Sequence, residues 1–374
     1  MIFLLLMWVM SRLSPEFILK HKGEPVTDLN FWKTDQAFDE NDCLLSAYHK
    51  SGGVDLWDLK TRRVMINIPA IDQTSVISVC GINNKKIISL DKEGHLRVTA
   101  FDNGGTTDIT NLVVPNVAFC KAAILPQTNC FDDPVVGVPG QEKSSFNIWN
   151  LNHSKIMRRL IPHEECNLGM PMCAKLFHLN GIQALVGYED GSVLLWDVED
   201  GKAISAAKHI FPEPVMCLDF CTEDLCGIAG SATTLVVKWK VPSVSELKND
   251  SDETVNLKTL QHLHGFEIMK NVELLNAGVS CVKVRSDRKI FVTGGWDHKT
   301  RVFSWKTTKP LAVLDYHKGT IQSAAFADSS DPKKQVLACG SNDCKISIWR
   351  IYNDWKHKWW LLAIHQNCKT LFHA

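Results

Sequence analysis

The sequence lacks the short motifs that mark the commonest enzyme sites. It contains no Gly-x-x-x-x-Gly-Lys-Ser/Thr phosphate loop, no Gly-x-Ser-x-Gly nucleophile turn and no His-Glu-x-x-His zinc pair. Nucleotide-driven, serine-hydrolase and metalloprotease activities therefore have no support in the residues. We expect no catalytic site, no cofactor and no metal.

Concentrated charge is absent as well. Lys plus Arg and Asp plus Glu both total 41 in 374 residues, so the formal net charge is zero. Direct binding of nucleic acid or of an acidic membrane surface requires clustered positive charge, and we expect neither.

The sequence also lacks closely spaced pairs of cysteines. The 13 cysteines include no Cys-x-x-Cys, and most lie in apolar runs, which is typical of buried thiols in a reducing compartment. The nearest approach to metal-ligand spacing is Cys217, Cys221 and Cys226 with His209 upstream. A strand and its turn do not make such side chains converge, so the pattern does not favour a zinc site.

No hydrophobic run is long enough for a membrane span. Residues 1–10 are nearly all apolar, which is about half of the length that a spanning helix needs. No basic residue precedes this run and no small-residue cleavage site follows it, as a signal peptide requires. We interpret residues 1–14 as an extension outside the fold, with a second possible start at Met10.

The most informative segment runs from Gly187 to Asp197. It reads as a strand end, an Asp-Gly turn and a second strand of apolar residues that closes on Trp196-Asp197. The pattern recurs about every 40–45 residues, which is the signature of WD-repeat β-propellers. Its closing position falls at Trp57, Thr99, Trp149, Trp196, Trp239, Phe303 and Trp349. These seven positions predict an all-β, seven-bladed WD-repeat β-propeller over residues 15–352.

The same count predicts how the ring closes. The last repeat supplies only three strands, Thr320–Ala327, Gln335–Asn342 and Lys345–Ile351. A strand-like segment, residues 15–20, stands ahead of the first repeat. We expect it to pair with the last blade, which would leave no exposed edge at the junction.

Polar residues in the last repeat have a structural interpretation. His317, Ser341, Asp343 and Trp349 lie where WD repeats place a buried hydrogen-bonded chain. Buried polar groups need partners, so we interpret this set as structural rather than as a catalytic triad. His21, Ser46 and Trp57 form a partial version in the first repeat.

Two segments depart from the repeat. Residues 241–264, centred on Ser243–Glu253, are polar and acidic and predict a surface loop, either simply solvated or partner-binding or phosphorylated. Residues 353–374 form a tail that is too apolar to be free in solvent, with tryptophans at 355, 359 and 360. The sequence leaves open whether the tail is a docking helix or not part of the native protein.

Several segments together resemble one family, the guanine nucleotide-binding protein β-subunit-like family, which includes the fungal ASTRA-associated WD-repeat protein. The resemblance spans roughly Pro15 to Tyr352. It is carried by Leu168–Cys173, Gly187–Val198, Glu213–Phe220, Ser286–Ile290, Gly295–His298, Arg301–Phe303 and Lys309–Leu314.

This resemblance implies a non-catalytic scaffold in cytoplasm and nucleus. It implies a link to the adaptor complex that supports assembly and stability of phosphatidylinositol-3-kinase-related kinases, and to ASTRA, a chromatin-associated assembly. The alternatives are a G-protein β-like signalling subunit and a substrate receptor of a ubiquitin ligase. The residues before Phe17 contain no heptad repeat, so we expect no G-protein γ subunit.

The candidate partner-binding residues are apolar residues predicted in loops. Met170, Pro171 and Met172 form an apolar loop segment, and Trp296 and His298 lie in a turn. Exposed Met and Trp are favoured anchors at interfaces. The alternative is that these side chains pack between blades.

Overall fold

The protein is described here by a computed structural model, which covers residues 14–20, 23–32, 43–48, 53–69, 72–82, 85–102, 105–115, 119–126, 133–163, 166–242, 264–327 and 335–351. Within these ranges the chain forms 29 β-strands, β1 to β29, arranged as seven sheets that are antiparallel except for the short β21. The predicted seven-bladed propeller is thereby confirmed. The prediction for Ser243–Glu253, those for residues 1–13 and 353–374, and the role of His21 lie outside the described residues.

The first four blades take their strands mainly in chain order. The opening strand, β1 (Phe17–Lys20), belongs to the last blade. Blade 1 contains β2 (Val26–Trp32), β3 (Cys43–Tyr48), β4 (Val54–Asp58) and β5 (Arg63–Ile68); blade 2 contains β6 (Val76–Ile82), β7 (Lys86–Asp91), β8 (His95–Asp102) and β9 (Gly105–Val113); blade 3 contains β10 (Ala123–Ile124), β11 (Val135–Pro139), β12 (Phe146–Asn150) and β13 (Lys155–Leu160); blade 4 contains β14 (Pro171–His178), β15 (Ile182–Tyr188), β16 (Val193–Asp197) and β17 (Lys202–Ala207).

The remaining blades follow the same order from inner to outer strand. Blade 5 contains β18 (Val215–Cys221), β19 (Cys226–Ser231), β20 (Leu235–Lys240) and β22 (Glu267–Glu273); blade 6 contains β23 (Val279–Val284), β24 (Ile290–Gly295), β25 (Thr300–Ser304) and β26 (Pro310–Leu314); blade 7 contains β27 (Ile321–Phe326), β28 (Val336–Ser341), β29 (Lys345–Arg350) and β1. The short β21 (His264–Gly265) joins blade 4 as a fifth strand.

The closing aromatic position marks the same place in each blade, on the third strand. In six blades the pairing with the outer strand shifts by one residue immediately before this position, as between Leu56 and Trp57 or between Val98 and Thr99. Such a bulge increases the local twist of a sheet. Thr99 occupies this position in blade 2. Because Thr99 is not aromatic, only the spacing of the repeats could locate it in the sequence.

Ring closure occurs as the sequence predicts. Phe17 pairs with Ile348 and Lys20 with Lys345 in an antiparallel ladder. Leu19 is 2% exposed and packs in the apolar cluster shared by blades 7 and 1. Outside the ladder, the Arg350 side chain donates to Glu16 at 2.5 Å. The outermost strand of the last blade is therefore supplied by the opening of the fold.

The end of the insertion, which was predicted to be a surface loop, forms the short strand β21. β21 runs parallel to β17, with Ser205 opposite His264 and Ala206 opposite Gly265. The Phe266 amide donates to the Ala206 carbonyl at 3.3 Å, and the Phe266 ring stacks on Trp239 in blade 5. The chain thus covers the outer edge of blade 4 before it completes blade 5.

The core lies in the seams between blades. Seven clusters of buried apolar side chains were found, and each joins two neighbouring blades. Between blades 4 and 5, for example, the rings of Phe177 and Phe220 lie 4.5 Å apart. No helix in the described part of the chain is long and apolar enough to cross a membrane.

Candidate interaction surface

Strand direction divides the loops between two rims of the ring. Each inner strand starts at one rim, and because neighbouring strands are antiparallel, the turn between the second and third strands returns to that rim. We call it the entry rim. It contains the loops that lead into the inner strands and the turns between second and third strands.

Met170 lies on the entry rim and is held there by the next turn. Its side chain is 40% exposed. Its amide donates to the Glu189 carboxylate at 3.1 Å, and its carbonyl accepts from the Glu189 amide at 3.0 Å. The loop prediction is wrong for Pro171 and Met172, which begin β14 and are buried, Met172 along the central channel.

Trp296 is an exposed aromatic platform on the same rim. Its indole is 46% exposed and lies on Gly278, where an added Cβ would come within 2.1 Å of the ring. The Trp296 amide donates to the Gly278 carbonyl at 3.0 Å. Next to Gly278 in the same loop, Leu275 is 80% exposed. A glycine with positive φ is therefore needed for the ring to lie on this loop.

The turn below Trp296 is fixed by charge. Asp297 accepts from the Arg301 guanidinium at 2.5 and 3.1 Å and from the Asn276 amide at 2.8 Å. Burial opposes ionisation, but these hydrogen bonds outweigh it and lower the pKa of Asp297 to about 2. The predicted His298 lies in this turn at positive φ, half exposed and 3.9 Å from Asp315.

Sequence reasoning missed other exposed apolar side chains of this rim. Phe119 is 69% exposed at the mouth of the channel, and Ile161 is 45% exposed in the loop before β14. Val113, 70% exposed, ends β9 at the same rim. The other large exposed apolar side chains of the described residues lie on outer strands: Val64, Ile109, Met157, Ile268 and Met269. Among the described residues, the large exposed apolar side chains that lie in loops are all on the entry rim, a property that repeat alignment alone does not show.

A cavity of about 830 Å³ runs along the axis, lined by the inner strands of all seven blades. The Asp28 carboxylate accepts from Lys121 at 2.7 Å, from the Val79 amide at 3.0 Å and from the Ser323 hydroxyl at 2.9 Å. These four residues come from blades 1, 3, 2 and 7. Asp28 therefore ties inner strands together rather than facing a substrate.

A second carboxylate has the same role on the other side of the channel. Asp219 of blade 5 lies 3.0 Å from Lys175 of blade 4 and accepts from the Val284 amide of blade 6 at 2.9 Å. Burial alone would raise the pKa of Asp219, but Lys175 and Lys283 outweigh it and lower the pKa. The only sequence signal for either carboxylate is a charged residue within an apolar strand.

The predicted hydrogen-bonded chain of side chains in blade 7 is present, but one of its four residues differs from the prediction. The hydroxyl between His317 and Trp349 belongs to Ser347, which lies 2.7 Å from each, and not to Ser341 as predicted. Ser341 instead donates to the Gly319 carbonyl and accepts from the Asp343 amide. Ser347 and Trp349 lie two apart on one strand and so share a face, whereas Ser341 sits at the turn.

Donor and acceptor chemistry fixes the direction of this chain. The Trp349 indole can only donate, so it donates to Ser347. Asp343 accepts from His317 Nδ1 at 3.0 Å, which leaves Nε2 to accept from the Ser347 hydroxyl. Burial lowers the pKa of His317, and Asp343 opposes that effect. All four groups are satisfied internally, as in a structural network.

The cysteines with the nearest metal-ligand spacing do not converge. Cys217 contacts the carbonyls of Gly230 and Val279, whereas Cys221 lies against Glu223 and Cys226 against the Asp224 carbonyl. Within the described ranges, no group of three His, Cys, Asp or Glu side chains could hold a metal. Burial raises the pKa of Cys281 to about 11 and that of Cys120 to about 12.

The comparisons with known proteins agree with this geometry. The family model for the WD domain, G-beta repeat, matches residues 272–304 and 308–350. The chain is 32% identical over 344 residues to guanine nucleotide-binding protein subunit beta-like protein 1 of Mus musculus, covering 91% of this chain and 96% of that protein. It is 44% identical over 272 residues to ASTRA-associated protein 1 of Schizosaccharomyces pombe, covering 65% of this chain and 67% of that protein.

Proposed function

Since the chain belongs to the WD-repeat family of guanine nucleotide-binding protein subunit beta-like protein 1, we propose that it is a non-catalytic scaffold that binds protein partners through its entry rim. The observation that carries the proposal is the collection of exposed apolar side chains there. Trp296, Met170 and Phe119 are each at least 40% exposed on one rim of a closed ring. Exposed aromatic and Met side chains are the usual anchors of interfaces.

Rigidity supports this role. Glu189 holds both backbone groups of Met170, and Gly278 and Asp297 fix the turn that carries Trp296. A surface that is already ordered loses little conformational entropy when a partner binds. The rim is therefore suited to display and not to chemistry.

The proposed partner class rests on the family resemblance. We propose that the chain serves the adaptor complex that supports assembly and stability of phosphatidylinositol-3-kinase-related kinases. Several relatives are named ASTRA-associated protein 1, which extends the proposal to a chromatin-linked assembly. The proposed locations are cytoplasm and nucleus. Direct nucleic-acid binding, membrane binding and a G-protein γ subunit are not part of this function.

Affinity purification of the tagged full chain with mass spectrometry tests the proposal. We expect subunits of the kinase-adaptor complex to be recovered. Recovery of G-protein subunits or of ubiquitin-ligase components alone would contradict it and would favour one of the two alternative functions.

Rim variants test the surface itself. We expect Trp296→Ala and Met170→Ala to reduce adaptor recovery at least fivefold while the melting temperature stays close to that of the wild type. Met157→Ala is the matched control, because Met157 is similarly exposed, at 45%, but lies on an outer strand. Full recovery by both rim variants would show that the partner uses another surface.

A further inference from the structure

The outer edges of the blades differ in how they are protected against pairing with another strand. An unpaired edge is a template for another chain, and proteins block it with charge, proline, shortness or a cover. The outer strand of blade 3 carries Lys155, Arg158 and Arg159, and that of blade 5 carries Glu267, Lys270 and Glu273. Blade 6 ends in a five-residue strand that begins with Pro310, and blade 7 in the four-residue β1. Blade 4 is covered by β21.

Among the described residues, no segment covers the edge of blade 2, and its outer strand is neither short nor interrupted by proline. β9 is the longest strand of the described fold, nine residues, with three threonines and no lysine, arginine or proline. Among the described strands it pairs only with β8. Ile109 is 52% exposed and Val113 is 70% exposed. β-Branched side chains on an open edge favour addition of a further strand.

The single charge of β9 does not guard the edge. One oxygen of Asp108 accepts from the Thr99 hydroxyl at 2.7 Å, and the other from Arg97 at 3.4 Å. Both partners lie on β8, on the side away from the open edge. The carboxylate is therefore paired within the blade, and its side chain is 44% exposed.

The ladder shows which backbone groups face outward. Just beyond β9, the Val114 amide donates to the Gly94 carbonyl at 2.8 Å, on the side of β8. Antiparallel strands alternate, so Leu112 and Thr110 also face β8, while the N–H and C=O groups of Asn111 and Val113 face away from it.

Blade 4 provides an internal precedent for this geometry. Counted from the closing position of each blade, Asn111 opposite Arg97 corresponds to Ala206 opposite Leu194. The Ala206 carbonyl accepts the Phe266 amide of the added segment. The position that receives an extra strand in blade 4 is thus the one left open in blade 2.

We propose that the edge of β9 receives an extended strand of a partner protein, a proposal that rests on the scaffold function above. The strand would be uncharged where it pairs with residues 109–113, with apolar or β-branched side chains on the face of Ile109 and Val113. Val113 and Phe119 place this edge in continuity with the entry rim. A partner anchored on the rim can therefore extend a strand along β9. Because of this continuity we assign the edge to a partner protein and not to a second copy of this chain.

A proline at Asn111 tests the pairing directly. It removes an outward amide without breaking a bond to β8, so we expect Asn111→Pro to keep the wild-type melting temperature within a few degrees. Asn111→Ala, which keeps the amide, is the matched control. If the proline variant unfolds, Val113→Lys supplies the same test with charge.

The probe is a library of ten-residue peptides displayed on phage, selected on the full chain. We expect enrichment of uncharged peptides with alternating apolar or β-branched residues, which bind Asn111→Pro at least tenfold more weakly than Asn111→Ala. Hydrogen exchange with the selected peptide should slow at the amides of Asn111 and Val113 and not at Leu112. Absence of any peptide that discriminates the two variants would overturn the proposal. So would a wild-type dimer in solution that Asn111→Pro dissociates, since a second copy would then occupy the edge.

The two proposals fail in different ways. If the wild-type chain recovers no adaptor subunits, the scaffold function is rejected, and the result of the peptide selection is unaffected. Equal adaptor recovery by wild type and Asn111→Pro, together with unselective peptides, would reject the edge alone.

Discussion

Blades 7 and 4 each contain a strand from a distant part of the chain, and the two borrowed strands do different work. β1 completes a blade that otherwise has three strands, and it buries Leu19 in the seam with blade 1. β21 adds two residues to a blade that already has four strands. From this difference we expect strand addition to be essential where it covers a core and marginal where it covers only an edge.

Removal of β1 should have the largest effect. We expect deletion of residues 15–20 to cost at least about 5 kcal/mol, because burial of one leucine alone contributes about 1.5–3 kcal/mol and an open ring also exposes the seam. Scanning calorimetry measures the loss. If the deleted chain does not fold, Leu19→Ala should cost about 2–5 kcal/mol, with exposed Lys20→Ala as control. An unchanged melting temperature after the deletion would refute closure by β1.

Within blade 7, replacement of Ser347 and replacement of Ser341 should have different effects. Ser347→Ala leaves the buried Trp349 indole without its acceptor and His317 without its donor, and should cost about 1–3 kcal/mol. Only this variant should shift the NMR signal of the Trp349 indole proton. Ser341→Ala, which loses turn contacts, should leave that signal in place. The reverse pattern would restore Ser341 to the chain.

Blade 7 should also be acid-sensitive. The pKa of His317 lies below its ordinary 6.5 because the ring is buried, despite the opposing effect of Asp343. The unfolded chain therefore takes up a proton first, and stability falls as the pH drops through about 6.5. The loss is at most about 1.4 kcal/mol per pH unit for one proton. Urea titrations at pH 7.5 and 5.5 should show a smaller difference for His317→Asn; an equal difference would contradict the assignment.

Disruption of β21 should have the smallest effect. His264→Pro removes an amide that the parallel register directs towards β17, at a blade that has four strands without β21, so we expect a change below about 1 kcal/mol. Chemical denaturation measures it beside the β1 deletion. A loss of similar size to that deletion would show that β21 is part of the core and would remove the contrast between the two blades.

The sequence predicted the fold well because its signals are periodic. Seven closing positions fixed the third strands, including Thr99, and the missing fourth strand of the last repeat fixed the role of residues 15–20. Ser341 was chosen for its place in the repeat, but two-residue alternation along β29 would have favoured Ser347 beside Trp349.

The interaction surface was harder to predict. Met170 and Trp296 are exposed as an anchor requires, yet Pro171 and Met172 belong to an inner strand because the loop ends two residues earlier than expected. Phe119 and Leu275 carry no repeat signal. Their exposure depends on where seven loops meet in space, which local sequence patterns do not encode.

The pairing of β1 with β29 has a consequence for biosynthesis. Phe17 leaves the ribosome more than 300 residues before Ile348, its partner in the ladder. At about 5–20 residues per second, that interval lasts roughly 20 to 60 seconds. During this time the first strand has no native partner and the growing blades have an open end. The ring therefore cannot close by this pairing until translation of the last blade is complete.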